Sequence, residues 1–192
     1  KLHLLEEPHM RNNYRGANWL AAGYINASVP LGRLEILGGL RYEYNDMELI
    51  SNTRDHELSE SSRHYTGGGL FPSATATFRI DEKQNLRLSY GRSINRPEFR
   101  EVSSSVYYDF DLASDVQGNT DLRNCYIDNV DLRYELYPSS SETVSIAAFY
   151  KHFDSPIEWT YTVSGGTDLV YSYMNALSAD NLGVEMDIRK SL

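Results

Sequence analysis

The sequence predicts an all-β fold, an antiparallel up-and-down meander of about eight strands that forms part of a transmembrane β-barrel. Three observations predict it. Short and long connections take turns along the 192 residues. The runs between them, about ten residues each, alternate apolar and polar side chains, the period of a strand with two unlike faces. No stretch approaches the ~20 consecutive apolar residues of a membrane helix, and the mean hydropathy is −0.50. The short links fall near residues 31–33, 81–84, 138–142 and 176–180, and the long polar ones near 45–68, 97–126 and 154–167. Outer-membrane barrels turn tightly on the periplasmic side and carry long loops outside.

Taken in order, the strands support this. Trp19 to Pro30 alternates loosely. Leu34 to Tyr44 sets Leu34, Ile36, Gly38, Leu40, Tyr42 and Tyr44 on a lipid face against Glu35, Leu37, Gly39, Arg41 and Glu43 on a lumen face. Leu70 to Ile80 repeats the split, with Arg79 on the lumen side; Pro72 is out of place there, because proline removes a ladder donor, and is expected near the outer rim at a bulge. Leu86, Leu88 and Tyr90 oppose Arg87 and Ser89. Val130, Leu132, Tyr134 and Leu136 oppose Asp131, Arg133 and Glu135, and Val144, Ile146, Ala148 and Tyr150 oppose Ser145, Ala147, Phe149 and Lys151. Leu169 to Asn175 alternates less cleanly, and Leu182, Val184, Met186 and Ile188 oppose Glu185, Asp187 and Arg189. A soluble half-buried sheet has the same period. Length separates the two, since globular strands average about five or six residues and barrel strands about nine to eleven. Residues 1–16 read as a lead-in and 17–192 as the wall. Lys1 is no initiator and no signal peptide follows it, and the chain ends without the usual terminal aromatic, so a longer parent protein is expected on both sides.

Composition narrows the function. The net charge of −9 argues against nucleic acid as a partner. The carboxylates Glu98, Glu101, Asp109, Asp111, Asp115 and Asp121 crowd one long loop against Arg100 and Arg123. Cys125 stands alone, so an intrachain disulfide is excluded. Tyrosine is abundant, 15 residues, and Tyr42, Tyr44, Tyr134, Tyr137 and Tyr150 near strand ends are candidates for an interfacial girdle. His56 and His64 lack zinc spacing, and His3, His9 and His152 are scattered. Gly67-Gly68-Gly69 precedes a strand rather than a helix, so it hinges a loop and does not cradle phosphate. No nucleophile elbow, dinucleotide fingerprint or EF-hand spacing occurs. The reading is therefore not an enzyme, with no cofactor and no metal.

Six motifs then carry a resemblance. Gly39-Leu40-Arg41-Tyr42-Glu43, Pro72-Ser73-Ala74, Leu88 through Pro97, Gly118-Asn119-Thr120-Asp121-Leu122, Phe149-Tyr150-Lys151 with Pro156-Ile157, and Asn175-Ala176 with Gly183-Val184-Glu185 resemble, in order, successive strands of the TonB-dependent outer-membrane receptors. Thr120 stands where the family pattern has proline. The resemblance covers about three quarters of the chain. It implies a segment of a 22-stranded barrel in the outer membrane of a Gram-negative bacterium, enclosing a plug domain. It also implies energised uptake of a nutrient, either a metal chelate or a glycan. The implied partners are TonB and the plug through a missing N-terminal region, the small-molecule or glycan ligand, outer-membrane lipid, and a surface lipoprotein.

Within that frame the lumen charges Glu35, Arg41, Glu43, Arg79, Arg87, Asp131, Arg133, Glu135 and Glu185 are expected to face the plug, or else to form hydrated cross-strand ladders. Tyr107, Tyr108, Asp109, Phe110 and Asp111, and Trp159 and Tyr161, set aromatic faces in outer loops, beside carboxylates in the first group, and are candidates to stack on a ligand; the alternative is loop self-packing. Two other architectures stay open. A self-contained eight-stranded barrel with a structural or adhesive role must pair its first strand with its last, and a soluble β-domain must bring Leu34, Ile36 and Leu40 against Leu86 and Leu88 in a core.

Overall fold

A computed structural model of the chain describes residues 14–52, 60–164 and 168–190. His3, His9, His56 and the first thirteen residues of the expected lead-in lie outside them. Seven strands form one antiparallel sheet: β1 (Tyr14–Leu31), β2 (Leu34–Asn52), β3 (Glu60–Arg79), β4 (Gln84–Asn95), β7 (Cys125–Ser139), β8 (Glu142–Asp154) and β11 (Ser178–Arg189), neighbours in that order. Between β4 and β7 the chain forms α1 (Phe99–Val102), β5 (Val106–Asp109) and β6 (Ser114–Gln117); between β8 and β11 it forms β9 (Ile157–Ser164) and β10 (Asp168–Asn175). These four short strands make a second sheet in the order β5-β6-β10-β9, with β6 and β10 parallel.

The wall follows the period of two across its whole width. One row of paired residues, Val29, Ile36, Ala76, Leu88, Leu132, Ala148 and Val184, crosses all seven strands and is apolar throughout. The adjacent row on the opposite face, Glu35, Thr77, Arg87, Arg133, Ala147 and Glu185, is charged or small. The first face stays exposed: Ile36, Leu40 and Leu88 keep 39%, 44% and 51% of their surface. The β2 and β4 apolar positions therefore meet in no common core, which excludes the soluble β-domain. β1 and β11 are the two edges of an open sheet, so the closure that an independent eight-stranded barrel requires is not made among the described residues.

Polar groups bound this apolar band. At the turn end of the wall Tyr134 donates to Gln84 Oε1 at 2.6 Å. At the other end Tyr90 donates to Asp128 at 2.7 Å, Tyr150 donates to Asp180 at 2.6 Å, and His152 Nδ1 lies 2.8 Å from the same carboxylate. Gln84 and Arg92 are about eight residues apart, roughly 26 Å along a tilted strand, the scale of the apolar belt of outer-membrane barrels. Trp19 meets Tyr44 edge-on at 6.0 Å on this face. Of the girdle candidates, Tyr137 does not belong, because a register shift between Leu136 and Ser139 ends the regular ladder and Tyr137 lies beside inward Glu135.

Three sequence expectations change. The described parts of the long stretch, residues 45–52 and 60–68, are not an irregular loop: β2 and β3 continue through them as a paired ribbon. Leu169 to Asn175 is not a wall strand but β10 of the small sheet, so the wall has seven strands and the link near 176–180 joins cap to wall instead of turning at the periplasmic side. Pro72 sits at no bulge of the β2–β3 ladder. It pairs with Leu40, and the β3–β4 ladder starts at Ser73–Gly91, so the amide that proline lacks has no β4 partner to lose.

Candidate functional site: the outer cap and its inner cleft

Above the apolar band the two faces of β2 exchange character. Outward positions become Asp46 and Glu48, facing water instead of lipid, and inward ones become Asn45, Met47, Leu49 and Ser51, all buried. What buries them is the pair of long connections, folded back over the inward face. Met47, Leu49, Val102, Val116, Leu122 and Tyr173 form one core, with Tyr65, Phe99, Tyr107, Ile157 and Tyr171 packed around it. Leu49 and Leu122 are 1% exposed, and Val102 and Val116 fully buried.

Each element is seated by a specific contact. Helix α1 is closed at its start by Glu98, whose N–H donates to Glu101 Oε2 at 2.9 Å, and the Phe99 ring lies where a Cβ on Gly16 of β1 would fall. Gly118 lies against the carbonyls of Arg100, Glu101 and Ser103 so closely that no Cβ fits. The next residue exploits that approach. Asn119 donates its N–H to Glu101 O at 2.6 Å and its Nδ2 to Tyr173 O at 2.9 Å, and its Oδ1 accepts from Asp121 N at 2.9 Å. Tyr65 of β3 donates to Thr120 O; burial pushes its hydroxyl pKa up, so it stays a donor. Asn175 completes the clasp by accepting from Arg123 N at 2.8 Å and donating to Arg123 O and Ser155 O at 3.0 and 2.7 Å. The two asparagines thus tie the second and third outer excursions together, and Tyr65 ties the first to them. Replacing Asn119 by Ala removes two side-chain bonds and strands a buried carbonyl, so we expect the cap to lose about 1–3 kcal/mol. Hydrogen exchange at β6 and β10 amides will read that loss.

The aromatic candidates all lie on the cap. Tyr107 packs into its core, under the Arg100 guanidinium at 4.8 Å, with its hydroxyl 3.4 Å from that of Tyr173. Desolvation, then Tyr107, push the Tyr173 hydroxyl pKa up. Tyr108 and Phe110 meet edge-on at 5.2 Å and stay exposed, Phe110 at 88%. Asp109 accepts the N–H groups of Asp111 and Leu112 at 2.9 and 3.0 Å, holding its own turn. Trp159 stacks on Tyr173 at 4.6 Å, and Tyr161 packs 6.2 Å from Tyr171. β5 and β9 are opposite edges of the small sheet, so the two aromatic groups do not converge.

The lumen charges share the inward face and are mostly paired. Arg79 meets Glu35 at 3.3 Å, Arg87 meets buried Glu135 at 3.4 Å, and Arg133 lies 3.9 Å from Asp131. Glu43 takes Arg41 Nε at 2.6 Å and Arg96 at 2.7 Å. Glu185 lies at the open edge strand β11. The Arg87 Nε is buried without a hydrogen-bond partner among the described residues.

Sequence reasoning missed what the cap and wall enclose, a cleft of about 300 Å³ on the inward side. Asn45, Met47, Arg63, Tyr65, Arg96, Leu122, Arg123 and Tyr126 are among its lining residues. Its members come from five distant segments, and the sequence cue is that Arg96, Leu122 and the glycine triplet 67–69 sit inside or beside motifs already singled out.

A wall with an apolar outer row, a charged inner row and a cap folded over its inward face defines a segment of an outer-membrane β-barrel. The comparisons agree. The sequence profile of the outer membrane protein beta-barrel family matches residues 5–192, and the chain belongs to that family. In fold it is similar to the Serratia marcescens hemophore receptor HasR, solved with its hemophore HasA and heme (TM-score 0.72, 16% identity, 92% of this chain and 32% of that one). It is also similar to the Pseudomonas aeruginosa siderophore receptor PirA (0.63, 14%, 92% and 40%) and to the Neisseria meningitidis FrpB iron transporter (0.56, 15%, 89% and 23%). The chain thus spans between about a quarter and two fifths of these structures. Comparison with curated protein sequences finds no match. The protein resides in the outer membrane of a Gram-negative bacterium.

Proposed function

We propose that the chain is a wall segment of a TonB-dependent outer-membrane receptor for energised uptake of a nutrient, a metal chelate or a glycan. The observation that carries this reading is the cap: two long connections fold inward over the wall and leave a lined cleft on the lumen side, where an imported ligand is first held. The fold shared with receptors for siderophores and a hemophore supports it. The inward ion pairs fit the same role, because exposed pairs such as Arg79–Glu35 are worth little individually and can exchange partners with a plug as it moves. TonB and a plug would act through residues beyond this chain, the lipid bilayer would cover the apolar face, and a surface lipoprotein could close the outer mouth.

The test is uptake by cells lacking the parent gene, by cells lacking TonB and by the parent strain, using labelled ferric chelates and oligosaccharides. Uptake of one compound is expected to fall at least tenfold in both deletions. Uptake that persists without TonB overturns the reading.

A further inference from the structure

Resting on that receptor reading, we propose that the inner cleft recognises an anionic ligand, one that carries a carboxylate on a hydroxylated skeleton. The cleft concentrates cations in a chain whose net charge is −9. Arg63, Arg96 and Arg123 line it, and among the described residues its lining contains no aspartate or glutamate. The nearest carboxylates do not cancel them. Glu43 is shared between Arg96 and Arg41, and Asp121 reaches Arg63 only at 3.8 Å while itself 83% exposed. Among the described residues Arg41, Arg63 and Arg96 thus share two carboxylates, and Arg123 has no ion-pair partner. Guanidinium forks suit carboxylates because two parallel N–H groups match two oxygens.

A second observation points to hydroxyl groups. Asn45 lines the cleft with 9% exposure, and its Oδ1 has no hydrogen-bond partner among the described residues. An acceptor in that position calls for a donor, which a bare anion does not supply and a sugar or hydroxy acid does. Met47 and Leu122 give the cleft an apolar side, against which the carbon skeleton can lie, and about 300 Å³ is at the lower end of ligand-site volumes. Acidic glycans and hydroxycarboxylate chelators share this chemistry.

Calorimetry on the intact outer-membrane protein in detergent, with glucuronate, citrate and glucose as separate titrants, tests the proposal. At least one anion should bind while glucose does not, and Arg123→Gln should weaken that binding about tenfold. Glucuronate alone would mark an acidic glycan, citrate alone a hydroxycarboxylate, and both the shared group; each supports the inference. Arg123 is exposed and outside the core, so its variant folds; Arg63→Gln is the second reading, and heat-shifted gel mobility checks the folding of both variants. Glucose binding as tightly as the anions, anion binding unchanged in both variants, or no anion binding at all overturns it. Anion binding without TonB-dependent uptake would remove the receptor reading and leave this one standing, and TonB-dependent uptake without anion binding would do the reverse.

Discussion

Gly118→Ala is expected to lift the outer cap from the wall, at a cost of about 3 kcal/mol, the upper end for overpacking a site that cannot relax. The added methyl would meet three main-chain carbonyl oxygens, those of Arg100, Glu101 and Ser103, rather than the end of a movable side chain. Relief therefore requires the Gly118 strand end to withdraw from α1. Withdrawal breaks the Asn119 N–H bond to Glu101 O at 2.6 Å, and with it the reach of Asn119 to Tyr173 O. Val102, Val116 and Leu122 then lose a seat in which they are buried to 1% or less. Hydrogen exchange should show protection falling in residues 99–122 and in β9 and β10, while the β4–β7–β8 ladder keeps its own. Gly38→Ala is the control, because nothing lies within 4 Å of a Cβ there and the methyl joins the lipid-facing row. Equal loss of protection in cap and wall would show that the cap is not a separable unit.

How much of this was legible in the sequence follows from what fixes each part. The wall was legible, because lipid on one side and lumen on the other impose one alternation on every strand, and a one-residue slip would turn the charged row outward. The ribbon at 45–52 and 60–68 was misread because alternation there has the opposite sign. Asp46, Glu48 and His64 face water, and the apolar residues Met47, Leu49 and Tyr65 point in, so the segment looks polar if only the lipid-facing parity is followed. Leu169 to Asn175 was misplaced for the related reason that a half-buried strand of a small sheet has the same period of two as a membrane strand. Gly118, Asn119, Leu122 and Asn175 stood out as motif residues before any contact was known. Their physical content is now plain: a close approach, two clasps and a core residue. The cleft was not legible, since Arg63, Arg96 and Arg123 come to line one space only after two excursions fold against the wall.

Leu132→Arg is expected to destabilise the wall by about 2–4 kcal/mol, the depth-dependent cost of a cation on the lipid face near the bilayer centre. Leu132 lies in the interior of the apolar row, between Leu88 and Ala148, and β7 has a paired neighbour on each side. An arginine there has no close polar group outward, since the Tyr134–Gln84 bond lies toward the turn end and Tyr90–Asp128 toward the outer end of the same strands. It must therefore stretch along the wall or draw water into the hydrocarbon. The next residue gives the counter-case. Arg133 lies on the opposite face of β7, 3.9 Å from Asp131, so Arg133→Leu removes an exposed pair worth at most about 1 kcal/mol. Measured by denaturant titration of the intact protein folded into lipid vesicles, the two substitutions should differ by at least 1 kcal/mol, although they exchange the same two residue types one position apart. Equal effects would mean that the two faces of β7 meet the same solvent. The assignment of lipid to one side and lumen to the other would fall with that result, because it rests on parity alone at this depth of the wall.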